Sequence, residues 1–578
     1  MTSPHERGFP LFIGVTGHRD IEPASARELV RIVNHQLRRL VEAIRSTEIC
    51  ILSGMAPGAD LIVARAAVEA GVRVEAVLPM PLARYLEDFE GAWRVELEDL
   101  LAHPLVRRVE LTPLGNLDEQ VGRNQSYRSL GAALARRSSL LLAVWDGHSA
   151  RLPGGTSDTV LHYLGCRGDA GAESSEPVFV TEGVAAQPGG TVVYWVPVRR
   201  SSAPGSAAVP AACFLTGSGQ NRLLMHAELP EAIAADWRHL DHFNRAYQQL
   251  LAAGRLPPRN SLLDSLTVDA HRTDLELLHA IDRGYAIADS LAMQYQRGSD
   301  RLFQLFGVLT LLMGFVYLCY ERLFHSELLL IAYLGVLGVS YLLFMILRRK
   351  DWFSSHLASR TLAESLRVKF YLAVAGADDL VFPQELFALS GIDSFRGFGW
   401  IRPALRSVER TDAAEGLSLA GAAAAVDHAW IGDQYAYFGR KVAKMAVTQR
   451  RVGYFKRLLV GVMFFVVMML VIYGRRLEHL QLLVPLPLDD LMMLVWGALA
   501  VVLGVWELHQ DKMATTELLW QYRNQLDHFS LARAQLAHVT GVAGRRQVLA
   551  DLGRNSLMES YLWAIHRYHR EHEPPSGG

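Results

Sequence analysis

Two hydrophobic patterns divide this 578-residue chain. Over the first 200 residues, short apolar runs alternate with stretches of helical periodicity. Leu11–Thr16, Ile49–Ser53, Val72–Pro79, Val106–Leu111, Ser139–Trp145 and Thr191–Val196 predict strands. Ala24–Arg45, Asp60–Ala70, Arg84–Leu101, Asn124–Ala135 and Ser157–Leu164 predict helices. That alternation predicts an α/β unit with a Rossmann-like, mostly parallel sheet and helices on both faces. Gly168–Gly190 and Ser201–Gly219, rich in Gly, Ala, Ser and Pro, predict a surface insertion and a linker.

The second pattern is four long apolar runs, Leu302–Tyr320, Leu328–Leu347, Leu458–Tyr473 and Leu491–Trp506. None contains Asp, Glu, Lys, Arg or His. A membrane-spanning helix needs roughly 20 apolar residues. The first two runs meet that directly, and the last two borrow flanking residues with Lys456, Arg457 or Glu507 snorkelling. The expected architecture is therefore an all-α membrane region with four transmembrane helices in two hairpins, together with cytosolic helices. A Tyr-rich helix precedes each hairpin, Tyr285–Tyr295 and Tyr435–Tyr454, and Arg360–Tyr371 and Thr516–Phe529 follow, a faint duplication. The expected domains are 1–200, α/β; 201–225, linker; 226–300, helical connector; 301–375, first hairpin; 376–427, linker; 428–530, second hairpin; and 531–578, terminal helical segment and tail.

Composition sharpens this. Half the residues are hydrophobic, and the mean hydropathy of +0.13 is high for a soluble chain. Lys and Arg number 58 against 59 Asp and Glu, a net charge of −1 that gives no support to direct nucleic-acid binding. Cys50, Cys166, Cys213 and Cys319 form no C-x-x-C pair, which disfavours a disulfide framework or a cysteine-built metal site. No apolar signal region is expected at the start of the chain, so the α/β unit is expected to stay in the cytoplasm. The expected inner flanks carry Arg297, Arg301, Arg348, Arg349, Lys350, Arg450, Arg451, Lys456, Arg457 and Lys512; the outer loops carry Arg322, Arg475 and Arg476. That asymmetry predicts both termini inside. Spans without titratable groups disfavour a proton-coupled transporter but leave room for a pore lined by groups such as Thr310 and Ser340.

Candidate chemistry sits in three glycine loops at the ends of predicted strands, where open α/β sheets bind ligands. The first holds Gly14, Thr16, Gly17, His18 and Arg19; free N–H groups, an imidazole and a guanidinium there suit an anion. The second holds Ser53, Gly54, Met55, Ala56, Gly58 and Asp60, with Asp60 either a ligand contact or a helix cap. The third follows Asp146-Gly147 and holds Pro153, Gly154, Gly155, Thr156 and Asp158; Thr156 suits a phosphate, and Asp158 a cap or a sugar hydroxyl. Neither a G-x-G-x-x-G turn after the first strand nor a Walker loop is present, which disfavours dinucleotide dehydrogenases and P-loop ATPases.

Taken together, these loops resemble the SLOG superfamily, which unites Smf/DprA proteins and Lonely Guy phosphoribohydrolases. The resemblance covers roughly residues 10–200, and Ser53-Gly54-Met55-Ala56-Pro57-Gly58-Ala59-Asp60 is its most specific part. The membrane half resembles the SLATT family of two-span effectors, through Ala286-Ile287-Ala288-Asp289-Ser290-Leu291-Ala292, Leu362-Ala363-Glu364-Ser365-Leu366-Arg367, and Leu557-Met558-Glu559-Ser560-Tyr561-Leu562-Trp563 with His566-Arg567. The pairing implies a bacterial, anti-phage conflict effector. In such a system a sensor binds a nucleotide or cyclic-nucleotide second messenger, made by a partner synthase, and a homo-oligomer perforates or depolarises the inner membrane; no cofactor is implied. Lonely Guy enzymes carry P-G-G-x-G-T-x-x-E, whereas here the loop is shortened to Pro153-Gly154-Gly155-Thr156 with Asp158 as the acid. A shorter acid at another offset does not place a carboxylate at the same sugar carbon, so binding without turnover is expected. The alternatives are a membrane-tethered nucleotide hydrolase, for which Glu119, Arg123 and Arg128 could supply an acid and a cation, and a channel regulated by nucleotide binding.

Overall fold

The computed structural model describes residues 8–148, 154–165, 178–181, 190–202, 210–217, 222–254, 261–266, 272–348, 351–412, 425–477, 487–512 and 515–571. Pro153, Cys166, Arg349, Lys350, most of the expected insertion Gly168–Gly190, much of Ser201–Gly219 and the alanine-rich 413–424 lie outside them. The chain divides into two compact units. The first comprises Met1–Ala288, Leu362–Ala425 and Leu549–Met558, the second Asp289–Thr361, Val426–Val548 and Glu559–Gly578.

The first unit is built on a sheet whose described strands are β1 (Leu11–Gly17), β2 (Ile49–Ser53), β3 (Arg73–Leu78), β4 (Val106–Glu110), β5 (Leu140–Trp145), β6 (Val178–Thr181), β7 (Val193–Pro197), β8 (Cys213–Gly217) and β9 (Arg222–His226). Their order is β4-β3-β2-β1-β5-β7-β8-β9-β6. Strands β4 through β7 in that order run parallel, and β8 is antiparallel to both its neighbours. This is the Rossmann-like, mostly parallel sheet expected. Phe12, Leu52, Leu141 and Trp145 share one face, packed under the helices Gln120–Arg137 and Thr156–Tyr163. Ile13, Val15 and Ile51, one residue out of phase, are fully buried on the other face. Burial on both faces is why these strands read as unbroken apolar runs. Strand β4 differs: it is an edge, and it exposes Arg107, Arg108 and Glu110.

Two segments expected to be linkers are structured. Within 201–225 lie β8 and most of β9, which extend the sheet as an antiparallel pair, and β6 lies in the expected insertion. CFLTG and RLLMH are short apolar runs set in Gly- and Ser-rich flanks, whose composition masks them. Within 376–427, the helices Pro383–Leu389 and Ile401–Ser407 bury Phe387, Ile401, Ala404 and Leu405. Helices this short carry too little periodicity to be read.

Helices long and apolar enough to cross a membrane lie within Leu275–Arg322, Glu327–Met345, Asp427–Tyr473 and Leu488–Leu508, and their apolar runs fall in the second unit. Each contains one of the four apolar runs or the bulk of it. Their large apolar side chains are turned outward, as at Leu328 (74% exposed) and Val471 (78%). In water such a surface would be unsustainable; against acyl chains it is the expected face. First and fourth spans meet at small residues: a Cβ on Gly314 would lie 2.6 Å from Val501, and one on Gly497 2.6 Å from Leu318. Lys456 pairs with Glu507 at 2.6 Å between third and fourth. The hydroxyls of Thr310 and Ser340 donate back to Phe306 O (2.8 Å) and Val336 O (2.7 Å) of their own helices.

Candidate functional site at the strand switch point

The chain runs outward from β1 through β2, β3 and β4, then returns to lay β5 on the other side of β1. A crevice therefore opens between the carboxyl ends of β1 and β5, the place where sheets of this kind take ligands. His18 leaves β1 there, donating its N–H to Val144 O at 3.0 Å. Its Nε2 lies 3.1 Å from Asp146 Oδ1, at the end of β5. Burial pushes the Asp146 carboxyl up, but the His148 N–H and His18 outweigh it and hold it below the usual range. Asp146 thus orients the imidazole and makes one wall of the crevice.

The second loop is pressed onto the first, backbone to backbone. Ala59 donates its N–H to His18 O at 3.0 Å. Gly58 has φ +87°, and a Cβ there would lie 2.4 Å from Arg19 O and 2.6 Å from His18 O. Positive φ and this approach both demand glycine. We expect Gly58→Ala to destabilise the α/β unit by at least about 2 kcal/mol. Gly71→Ala is the control, since Gly71 also has positive φ but a Cβ there would meet nothing within 4 Å. A Gly58→Ala melting transition no lower than that of Gly71→Ala would refute the close-approach argument.

Three predicted site residues turn inward instead of facing the crevice. Ser53 Oγ accepts the Met55 N–H (3.0 Å), Met55 is buried with φ +57°, and Asp60 Oδ2 accepts the Ala56 N–H (3.4 Å). Burial pushes the Asp60 carboxyl up to about 7 against the pull of Ala56 and Arg19. Gly14 is buried within β1, where a Cβ would lie 2.2 Å from Ser138 Oγ. These groups shape the loops. The accessible groups are Thr16, Gly17 and His18, half-buried, the exposed Arg19, and Ala56.

The third loop joins through the helix Gln120–Arg137. Gly154 has φ +79°, and a Cβ there would lie 3.0 Å from Arg128 N and 3.2 Å from Tyr127 C. Asp158 Oδ2 accepts the Gly154 N–H at 2.8 Å, so this acid closes its own loop. Gly155 and Thr156 stay half-exposed at the start of the helix Thr156–Tyr163.

Tyr127, missed in the sequence, ties the loops together. Arg19 Cζ lies 5.2 Å from its ring centroid, its OH donates to Asp88, and its backbone carries the Gly154 approach. Burial and then Asp88 push its phenol up to about 12. Tyr85, beside it, donates its OH to Gly54 O at 2.8 Å. Arg123 is held by Asp88 and Glu87, and Glu119 accepts from Asn116 Nδ2 at 3.0 Å. Arg19 and Arg128 make no direct ion pair with a carboxylate among the described residues, although Asp88 and Asp60 act on Arg19 through space. The arrangement offers two guanidiniums, one of them stacked on Tyr127, an imidazole and a helix start to one anionic ligand.

No family model matches the chain, and no curated protein matches it. Among solved structures it is similar to the X-ray structure of DNA processing protein A (DprA) from Streptococcus pneumoniae, at 16% identity and a TM-score of 0.20, over 31% of this chain and 52% of that one. The chain thus spans about half the length of that protein.

Proposed function

We propose that this is a multi-pass protein of the bacterial inner membrane, both termini cytoplasmic, whose α/β unit senses a nucleotide-derived second messenger and gates its helical region. The observation that carries this is the crevice at the strand switch point, where the His18 imidazole, the exposed Arg19 guanidinium stacked on Tyr127, and the N–H groups of the third glycine loop converge as donors for a phosphate. Of the groups a phosphoribohydrolase-like reaction could use, both acids, Asp158 and Glu119, and one cation, Arg123, are engaged in structural bonds, whereas the Arg128 side chain makes none among the described residues; the engagement of the acids favours binding over turnover. In this reading the SLOG-like sensor and SLATT-like spans form an effector of anti-phage defence, act as a homo-oligomer and depend on a partner synthase for the messenger. Gating requires the ligand to bind the open and closed states with different affinity.

The test uses the full chain in liposomes loaded with a self-quenching dye, challenged with linear and cyclic nucleotides. Release with one nucleotide and not with the others is the expected result. Release of free base from a nucleoside monophosphate without dye efflux would replace this reading with a tethered hydrolase.

A further inference from the structure

A cavity with charged walls lies at the opposite edge of the same sheet. Ser139 precedes β5, so this edge carries the amino ends of the parallel strands, away from the switch point. The cavity, about 230 Å³, is lined by Asp236 and Trp237 of the helix Glu231–Ala252, by Asp393, and by Arg402 and Arg406 of the helix Ile401–Ser407. Arg402 and Arg406 stand one turn apart, each only 8% exposed.

Structural bonds account for part of this charge. Arg402 donates to Asp393 Oδ2 at 3.1 Å, and Arg406 donates to Ser138 O and to the Tyr163 hydroxyl at 3.3 Å. Two groups stay open among the described residues: the buried Arg402 Nε has no hydrogen-bond partner, and Asp236 makes no hydrogen bond, while Arg406 faces the cavity with Glu385 acting on it only through space. Backbone is drawn against these same groups: a Cβ on Gly399 would lie 2.2 Å from Asp236 Oδ2, and one on Gly190 2.3 Å from an Arg402 amino group. Burial pushes the Asp236 carboxyl up to about 7, Arg402 opposing and Asp393 adding. Open valences beside buried charge are stabilised when a complementary group fills them.

We propose that this cavity is a second ligand site, for a small amphoteric metabolite of the free α-amino acid class, its oxyanion meeting Arg402 and Arg406 and its ammonium meeting Asp236. Paired guanidiniums on one helix turn match a carboxylate, and the carboxylate across the cavity selects a cationic group. Ile233, Pro403 and Trp237 supply the apolar wall. This inference does not depend on what the switch-point crevice binds.

The test is isothermal titration of the full chain in detergent micelles with individual free amino acids and with inorganic phosphate. The expected result is saturable binding of at least one amino acid, with phosphate binding more weakly. Asp236→Asn removes the ammonium partner at constant size and is expected to weaken that binding about tenfold or more. Ala232→Phe, at an exposed rim position, fills the cavity mouth and is expected to weaken it similarly without disturbing the fold. The inference is overturned if no amino acid binds, if phosphate binds as tightly as the best amino acid, or if Ala232→Phe binds like the parent chain. The last result also serves should Asp236→Asn fail to fold.

Discussion

On the proposed function, replacing Arg19 with Gln is expected to weaken nucleotide binding by about 10- to 100-fold and to abolish nucleotide-triggered efflux, while the melting transition of the chain moves by only about 2 °C or less. The expectation rests on where Arg19 sits. It leaves β1 at the switch point, it is exposed, and its guanidinium rides over the Tyr127 ring with no carboxylate in direct ion-pair contact among the described residues, Asp88 and Asp60 acting on it only through space. A cation held in that way is pre-oriented for a phosphate, and a charge-assisted bond of this type contributes roughly 1.5–3 kcal/mol, the range that sets the fold-change. Loss of the Arg19 side chain removes the stacking on Tyr127 but no ion pair, and it leaves the buried side chains of the sheet untouched. Arg19→Lys keeps the charge but not the planar fork, so it is expected to fall between parent and Gln variant. Titration of the full chain with linear and cyclic nucleotides, run beside the liposome assay, reads both effects. Parent-like affinity in Arg19→Gln would remove the switch point as the messenger site.

The fold was legible where one physical signal dominated. Strands buried on both faces must be continuously apolar, and Leu11–Val15, Ile49–Leu52 and Leu140–Trp145 are. Spans must be long and free of charge, so their positions followed from hydropathy alone. The hairpin of β8 and β9 was hidden because two short runs in a Gly- and Ser-rich setting look like loop. The site was legible as loops and not as side chains. A small-residue turn announces that the backbone is close to something, but not which side chains face out. Ser53, Met55 and Asp60 are motif-forming because they close the turn from inside, so their presence in the motif said nothing of exposure. Tyr127, Asp88 and Asp146 come from segments separated by tens of residues. Their convergence is a property of the strand order, which no local pattern encodes.

The largest stability effect is expected at a buried ion pair in the first unit. Lys369, on the helix Trp352–Val374, donates to Glu409, and the two side chains are 3% and 4% exposed. Residues next to Glu409 are pinned as well: Arg410 pairs with Asp378 at 2.9 Å, Thr411 Oγ1 accepts from Arg137 at 2.6 Å, and Asp412 accepts the Thr112 N–H at 2.8 Å. Residues 409–412 therefore clamp the loop after β4, the helix Gln120–Arg137 and the helix Trp352–Val374 to one another, and Lys369–Glu409 is the driest of those contacts. Lys369→Met strands the Glu409 carboxylate in the core near Asp378 and Glu385, whose carboxyls are raised first by burial and also by Glu409. Breaking one partner of such a pair is expected to destabilise the unit by roughly 3–5 kcal/mol. Removing both charges is different, because the apolar pair Lys369→Met with Glu409→Leu strands neither member of the pair and is expected to recover part of that loss, Arg136 and Asp378 keeping the remainder because each loses one opposite charge. Pulse proteolysis of the full chain in micelles across a urea series measures all three proteins. A single-variant deficit below about 1 kcal/mol, or a double variant no better than the single, would show that water reaches this pair and that the clamp does not depend on it.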